Sequence, residues 1–383
     1  MLPCLDVRVE LPCGQLDIRV DSCRIELDRL CGYASRHNRK RSFLFISKVL
    51  GKHWPLRPAA MREVYRLLAE DLMDLPGPVL FIGMAETATG LGQGIYDSLL
   101  HLTGREDILF IHTTRYHSSR RTAFDFQEVH SHATDQILYL PETAEGQRIF
   151  ANAASLVIAD DEISTGTTAL NLLSAYRCGN QSLREARFVS ITNWLQAERE
   201  NELQKAASPV RIGYAQLLKG VFTFTISPEF SIDEEIDVRG GTEHKDRFFS
   251  ANWGRFGIQG IPEFDFPRMT ADCDFSFGDR ILVLGSGEFA YPPFLLAEYL
   301  EGCGYDVHFQ STTRSPIMPG NDVHSRLCFI DNYGDGIANF VYNLRRDDYT
   351  RIIICYENPS LPTDHLLPGI LGAKPLFFHK GIR

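Results

Sequence analysis

The segment LVIADDEISTGTTAL, residues 156–170, decides the fold, because it joins a strand, an acidic pair and a turn that opens a helix. Four apolar residues, Leu156–Ala159, predict a buried strand, and Asp160 and Asp161 end it. Ser164–Thr168 then predict the start of a helix. A buried strand that leads through a polar turn into a helix is typical of a parallel sheet covered by helices.

The same alternation of short β-branched runs and longer amphipathic segments extends outward from this segment, beginning at about residue 62. We therefore predict an α/β fold. The predicted strands are Val79–Gly83, Ile108–His112, Gln136–Leu140, Leu156–Ala159 and Arg187–Thr192. Helical patterns lie between most of them, as in Leu91–Leu102 and Gln147–Ala154.

Length and composition predict two globular domains. The 383 residues exceed what one ordinary core needs, and 44% of them are hydrophobic and 23% charged. Around Arg239–Gly257 the chain is rich in glycine, charge and aromatic residues without a clear period, which indicates a domain junction. We expect domains at 1–240 and 241–383, with an N-terminal cap over about the first 60 residues.

The two halves share a short pattern of sequence. LFIGMAETATG at 80–90 and LVLGSGEFAYP at 282–292 each precede a helical segment and a further strand. Thr-Thr-Arg follows that strand both times, at 113–115 and at 312–314. The pattern suggests an internal duplication, and a chance match of short segments is the alternative.

Charge, cysteine content and hydropathy exclude several classes of protein. With 39 Lys and Arg against 49 Asp and Glu, the net charge of -10 disfavours nucleic-acid binding. The nine cysteines include no CxxC pair, so we expect reduced thiols and no zinc site. Nowhere do eighteen apolar residues occur together, and the first residues lack a basic segment followed by an apolar run. We therefore expect a soluble cytoplasmic protein that does not bind membranes.

The acidic pair and the turn predict a binding site for a phosphorylated sugar. Asp160 and Asp161 follow a strand at the edge where such folds bind ligands, and two carboxylates can accept hydrogen bonds from a ribose diol. The turn Ser164–Thr168, with Gly166 free to adopt a tight conformation, offers N–H groups at a helix N-terminus to a phosphate. Alternatively, the two aspartates only cap the helix.

This segment resembles the binding motif for 5-phosphoribosyl-1-pyrophosphate (PRPP) of type I phosphoribosyltransferases. Ser164 stands where enzymes that salvage 6-oxopurines have a carboxylate, which is similar to the orotate-type arrangement. The resemblance implies the type I phosphoribosyltransferase fold, a parallel sheet flanked by helices, here with the N-terminal cap and a second, smaller α/β domain. It also implies PRPP and a small-molecule acceptor as ligands, Mg²⁺ as cofactor, and a homodimer.

The same resemblance assigns roles to other residues. A loop after the first core strand, formed by Ala85, Glu86, Thr87 and Ala88, would bind pyrophosphate, and Arg115 would act with Asp160 and Asp161 in catalysis. The two aspartates would hold the metal indirectly, through ribose hydroxyls or water. Arg120 and Arg121 would belong to a closing loop, or alternatively to a solvated one. The spacing of His117, His130 and His132 matches no standard zinc site.

The basic and aromatic stretch at residues 40–53 is the candidate acceptor side. Lys48, Lys52 and His53 could contact an anionic or carbonyl-bearing acceptor. Alternatively, this stretch is a cap stabilised by Phe43, Phe45 and Trp54, with its cations in solvent.

The whole chain resembles phosphoribosyltransferase proteins found with bacterial tellurium-resistance and stress systems. These join an orotate-transferase-like domain to a C-terminal domain named for a Thr-Arg-Ser-Pro motif, which stands here at 313–316. The resemblance implies a magnesium-dependent transfer of ribose 5-phosphate from PRPP to an unidentified base-like or small-metabolite acceptor. Two alternatives stay open: a non-catalytic PRPP- or nucleotide-binding regulatory module, and a phosphoribosyl hydrolase or phosphorylase-like enzyme.

Overall fold

The computed structural model describes residues 5–36, 38, 41–127, 135–231 and 238–379. The helices are α1 Leu27–Leu30, α2 Pro58–Glu70, α3 Ala88–Thr103, α4 Ala144–Asn152, α5 Thr167–Gly179, α6 Ala197–Ala207, α7 Phe266–Met269, α8 Tyr291–Gly302 and α9 Leu367–Leu371. The strands are β1 Leu5–Leu11, β2 Gly14–Cys23, β3 Cys31–Ser35, β4 Phe43–Ser47, β5 Val79–Gly83, β6 Ile108–His112, β7 Thr122–Gln127, β8 Asp135–Tyr139, β9 Ser155–Ala159, β10 Glu162–Ile163, β11 Glu185–Asn193, β12 Arg211–Ile226, β13 Arg280–Gly285, β14 Asp306–Ser311, β15 Arg326–Ile330, β16 Ala338–Tyr342, β17 Arg351–Tyr356 and β18 Lys374–Phe377.

The larger sheet confirms the α/β prediction. Its strand order is β1-β2-β12-β11-β9-β5-β6, and β10 adds to β11. The strands from β12 to β6 are parallel, whereas β1 and β2 are antiparallel to their neighbours. The first residues, which we expected to form a cap, thus extend the central sheet, because the inward residues of β2 (Leu16, Ile18 and Val20) are apolar and buried. β3 and β4 form a separate hairpin.

The predicted strands lie close to the observed ones, with one difference of partner. β5 and β6 begin and end where the sequence predicts. The strand predicted at Gln136–Leu140 is β8, which pairs with β7 in a hairpin outside the large sheet. Apolar alternation predicts a strand without naming its neighbour, and Ile137 pairs instead with Thr114, beyond the end of β6.

A smaller parallel sheet forms the centre of the C-terminal half. Its order is β14-β13-β17-β18, and a separate hairpin, β15 with β16, lies beside it. Helix α8 crosses from β13 to β14 and packs against α3 of the first half. One continuous apolar core contains residues of both halves, so the second sheet is not an independent appendage. Among the described residues, every helix is too short or too polar to span a bilayer.

The repeated sequences occupy equivalent places in the two halves. β5, α3 and β6 form one parallel strand–helix–strand unit, and β13, α8 and β14 form another. In each unit, the first threonine of the Thr-Thr-Arg segment bonds back to the loop after the first strand. The matching bonds run from Thr113 N–H to Gly83 O (2.9 Å), Thr312 N–H to Gly285 O (3.0 Å), Ala85 N–H to Thr113 Oγ1 (2.7 Å) and Gly287 N–H to Thr312 Oγ1 (2.8 Å). These shared bonds support an internal duplication.

Each half also lends a segment to the edge strand of the other. Leu56 pairs with Phe309 of β14, and Ile258 pairs with Phe110 of β6. Next to these pairs, Gly51 O accepts from Ser311 N–H (2.7 Å) and Gly254 O accepts from His112 N–H (3.2 Å). Contacts that are reciprocal in this way are the mark of two copies of one fold that face each other. The halves therefore pair as two subunits do, within one chain.

Candidate functional site

The acidic pair and the turn behind it lie at the carboxyl edge of the large sheet. Asp160 and Asp161 follow β9 directly, and the Asp160 N–H donates to Val189 O of β11 at 2.9 Å. Gly166 precedes α5 with a φ of 68°, and a side-chain carbon there would lie 2.6 Å from Leu203 Cδ1. The left-handed conformation favours glycine, and a side chain there would also force Leu203 to move.

The loop after β5 lies beside this turn. It begins at Met84, contains a cis peptide bond between Ala85 and Glu86, and leads into α3 at Ala88. Thr87 Oγ1 donates to Asp161 Oδ1 at 2.8 Å. The two loops that the sequence assigns to one ligand therefore touch each other.

A cleft with a volume of about 190 Å³ separates these loops from the N-terminal region and the C-terminal half. It brings together nearly all the residues predicted from the acidic pair, the turn and the loop after β5. Its lining includes Ala85, Glu86, Thr87, Arg115, Asp160, Asp161, Ser164, Thr165, Gly166, Thr167 and Thr168, together with Arg36, Arg41, Leu44, His53, Met84, Glu162, Val238, Thr313, Arg314 and Ser315. Ala88, also predicted for this site, is buried at the start of α3.

Arg115 lies in the cleft on the side of the loop after β5. Its Nη2 donates to Ala85 O at 3.4 Å. Its backbone N–H donates to Glu288 Oε1 at 2.7 Å, so a carboxylate of the C-terminal half fixes the segment that carries it. A guanidinium held at this edge can bind two oxygens of a phosphate group.

Arg120 and Arg121 lie outside the cleft lining. Arg120 pairs with Glu142 (2.6 Å) and Asp246 (2.9 Å), and its guanidinium lies 4.0 Å from the centre of the Phe256 ring. Arg121 is exposed. In this structure the proposed closing loop is therefore tied to the C-terminal half at Arg120. His130 and His132 of the same segment lie outside the described residues.

The three residues expected on the acceptor side have different environments. Lys48 pairs with Asp322 at 3.1 Å and does not line the cleft. Lys52 is buried, pairs with Glu86 at 2.9 Å and donates to Gly287 O at 2.8 Å. Of the three, His53 alone lines the cleft.

His53 is a buried polar side chain that faces the cleft. It is 3% exposed, and neither ring nitrogen has a hydrogen-bond partner in the described structure. Burial lowers the pKa of His53 to about 4, although the nearby Asp161 and Glu86 carboxylates raise it and Lys52 lowers it further. The neutral imidazole therefore offers one donor and one acceptor to a ligand in the cleft.

Sequence reasoning missed several residues of the cleft. Arg41 pairs with Glu162 at 2.6 Å and lies 4.6 Å from the centre of the Phe43 ring. Burial raises the pKa of Glu162, against the opposing effect of Arg41. Glu162 directly follows the acidic pair in the sequence, which is a signal that could have found it. Arg41 lies in the basic and aromatic stretch at residues 40–53, but its sequence context does not single it out from the other cations there.

The fit of a metal ion depends on the carboxylates at the sheet edge. In the described part of the chain, no three His, Cys, Asp or Glu residues are placed to hold an ion by themselves. Asp160 and Asp161 are two adjacent carboxylates in the cleft. Mg²⁺ commonly binds through one or two carboxylates, substrate phosphates and water. The residues present therefore fit an ion that is shared with a bound substrate.

Two family models match the chain. The family described as phosphoribosyl transferase matches residues 30–221, and the family described as the TRSP domain, C-terminal to that transferase, matches residues 253–370. No match was found among curated proteins.

Solved structures of low sequence identity also resemble the chain. Adenine phosphoribosyl transferase from Trypanosoma brucei is 12% identical, with a TM-score of 0.36 over 52% of this chain and 83% of that one. The Leishmania donovani adenine enzyme is 15% identical, with a TM-score of 0.37 over 50% and 78%. Orotate phosphoribosyltransferase from Aeropyrum pernix is 16% identical, with a TM-score of 0.27 over 46% and 79%.

Proposed function

The chain belongs to the phosphoribosyl transferase family, and from that membership we propose that it transfers ribose 5-phosphate from PRPP to a small acceptor with release of pyrophosphate. One observation carries the proposal. The acidic pair, the Ser164–Thr168 turn, the loop after β5 and Arg115 all line one cleft, and Thr87 bonds to Asp161 across it. These are the groups that a ribose, its 5-phosphate and a diphosphate need.

In this proposal each part of PRPP meets a different element. Asp160 and Asp161 accept hydrogen bonds from the ribose hydroxyls, and the turn before α5 binds the 5-phosphate through backbone N–H groups and the helix dipole. The loop after β5 and the N-terminus of α3 face the diphosphate. Mg²⁺, held by Asp160 and Asp161 through ribose hydroxyls or water, would neutralise charge on the diphosphate.

The reaction breaks the bond from the anomeric carbon to the diphosphate and forms a bond to the acceptor. Positive charge develops on the sugar and negative charge on the leaving group, so fixed geometry and cations supply most of the catalysis. Arg115 is placed to stabilise the departing diphosphate, and the carboxylates of the acidic pair lie on the sugar side. Few proton transfers by side chains are required.

The acceptor would occupy the part of the cleft that His53 faces. The ring nitrogens of His53, which have no partner in the described structure, could bond to a carbonyl or N–H group of a base-like molecule or small metabolite. Lys52 would act indirectly, because it neutralises Glu86. We propose further that Arg120 and Arg121 close over the bound substrate, that the protein is cytoplasmic and that it forms a homodimer. Mass measurement in solution tests the dimer.

The experiment mixes the purified full chain with PRPP, Mg²⁺ and a panel of bases and small heterocyclic metabolites. Pyrophosphate release and mass spectrometry of the products are measured together. We expect release that depends on one acceptor and a product heavier than that acceptor by a phosphoribosyl group. Free ribose 5-phosphate without an adduct would indicate a hydrolase, and PRPP binding without release, even with cell extract as acceptor source, would indicate a regulatory module. No PRPP binding at all would refute the proposal.

A further inference from the structure

The segment Thr313–Ser315 of the C-terminal half lines the cleft of the N-terminal half. It follows β14, as Thr114–Tyr116 follow β6. We propose that Arg314 binds the diphosphate of PRPP, so that the C-terminal half completes the site of the N-terminal half. This inference rests on the proposed function and adds a residue to it.

Arg314 is a buried cation with unused hydrogen-bond donors on its two terminal nitrogens. It is 4% exposed, and its guanidinium lies over the Tyr116 ring, 4.5 Å from the ring centre. Nη2 lies 4.0 Å from Asp335 Oδ2, and neither terminal nitrogen has a hydrogen-bond partner among the described residues. Burial of guanidinium N–H groups without hydrogen-bond acceptors is costly, and an anion in the adjoining cleft would supply those acceptors.

Arg314 adjoins the loop that we assign to the diphosphate. Its backbone N–H lies 3.3 Å from Glu86 Oε2, within hydrogen-bond distance. Arg115, its counterpart in the first Thr-Thr-Arg segment, donates to Ala85 O of the same loop. Two equivalent arginines, one from each half, thus flank the loop after β5.

The negative charge of Glu86 is already balanced by a lysine. Although burial raises it, the cations of Lys52, Arg314 and Arg115 together hold the pKa of Glu86 below its usual value, so this carboxylate is ionised. Lys52 pairs with it directly at 2.9 Å. Asp335, a second carboxylate near Arg314, pairs with Lys245 at 2.5 Å. Each carboxylate thus has a lysine partner of its own, so the Arg314 guanidinium can balance charge on a diphosphate.

The corresponding space in the C-terminal half is filled by protein. Glu288 stands where Glu86 stands in the repeat, and it accepts from Thr114 Oγ1 (2.5 Å) and from Arg115 N–H (2.7 Å). Strand register places Glu357 where Asp161 stands, and Arg255 pairs with both Glu288 (3.2 Å) and Glu357 (2.9 Å). Arg115 and Arg314, the arginines of the two repeats, therefore both line the cleft of the N-terminal half.

The test measures the binding of three ligands to the full chain by calorimetry: inorganic pyrophosphate with Mg²⁺, PRPP with Mg²⁺, and ribose 5-phosphate. The variants are Arg314→Met, which keeps an apolar chain of similar length, and Arg314→Lys, which keeps a charge without the fork. Arg345→Ala is the control, because Arg345 is an exposed arginine of the same half outside the cleft. Thermal unfolding of each variant is recorded.

We expect Arg314→Met to weaken pyrophosphate and PRPP binding roughly 10- to 100-fold, as the loss of a charged hydrogen bond does. Arg314→Lys should lose less of this affinity, and Arg345→Ala should lose none. Ribose 5-phosphate should bind all folded variants with an affinity within about twofold of wild type. Equal PRPP binding by Arg314→Met and wild type would overturn the inference alone. An equal loss of ribose 5-phosphate binding would also overturn it, by showing a structural role. A wild-type chain that does not bind PRPP would refute the proposed function first.

Discussion

At the scale of single residues, Asp161 links the two loops of the cleft. It lies on the sugar side in our proposal, and Thr87 already donates to one of its oxygens. We expect Asp161→Asn to weaken PRPP binding by about 1.5 to 3 kcal/mol, because a charged acceptor for a hydroxyl is lost. Calorimetry measures this, with Asp74→Asn on the exposed segment after α2 as control. Unchanged affinity in Asp161→Asn would mean that the ribose binds elsewhere.

His53 gives the chain a dependence on acid that can be measured. In the unfolded chain its pKa is about 6.5, and burial lowers the folded value to about 4. Between these values the unfolded state binds more protons, so folding stability is lost as the pH falls below about 6.5. His53→Phe removes this pH-dependent contribution to stability. Phenylalanine is chosen because Phe256 occupies the equivalent position of the second half, where Gly-Arg-Phe at 254–256 matches Gly-Lys-His at 51–53.

We therefore expect the loss of unfolding free energy between pH 7 and pH 5 to be smaller in His53→Phe than in wild type, by about 1 to 2 kcal/mol. Urea unfolding at the two pH values measures it. His244→Phe, at an exposed position, should leave the difference unchanged. An equal acid effect in wild type and His53→Phe would show that His53 titrates normally.

Sequence reasoning found the cleft residues that lie next to one another in the chain. Asp160, Asp161 and the Ser164–Thr168 turn are contiguous, so one strand-to-helix junction places them together. The cleft also includes Arg41 and Arg314, which are brought in by hairpin and sheet contacts far away in the chain. The sequence shows the Thr-Arg-Ser-Pro motif. It does not predict which cleft the motif lines, because that depends on how the two halves pair.

At the scale of elements, buried parallel strands were the most predictable part of the fold. β5 and β6 are continuous apolar runs, and their limits follow from the punctuation at each end. β8 has a similar composition but ends in a hairpin, because its partner is set by tertiary contacts. The N-terminal strands were missed as members of the sheet, since alternation shows which face is buried and not which strand lies beside it.

A buried ion-pair cluster near the end of β6 should be sensitive to single substitutions. Arg255 is 2% exposed and pairs with Glu288 and Glu357. We expect Arg255→Ala to lower the free energy of unfolding by about 3 to 5 kcal/mol, because it leaves two buried carboxylates without their cation. Chemical denaturation measures this, with Arg345→Ala as control. A loss below about 1 kcal/mol would show that the carboxylates are stabilised by other groups.

At the scale of the whole molecule, the two halves share one core and exchange edge segments. We expect residues 1–240 expressed alone to be unstable, because β6 loses the pairing of Phe110 with Ile258 and α3 loses its packing against α8. Proteolysis and circular dichroism of the fragment, alone and coexpressed with residues 241–383, measure this. Coexpression should restore a resistant complex. A stable, PRPP-binding fragment 1–240 would contradict it.

The reciprocal pairing has a consequence for how this chain can change over time. A dimer of identical subunits gives every surface the same sequence twice, so a substitution that favours one pocket is imposed on the other. Here the two halves are joined in one chain with separate sequences, and the second half has the buried Arg255 cluster at the corresponding place while its Arg314 lines the cleft of the first. Covalent linkage therefore lets one copy specialise as the permanent neighbour of the other, always present in equal amount.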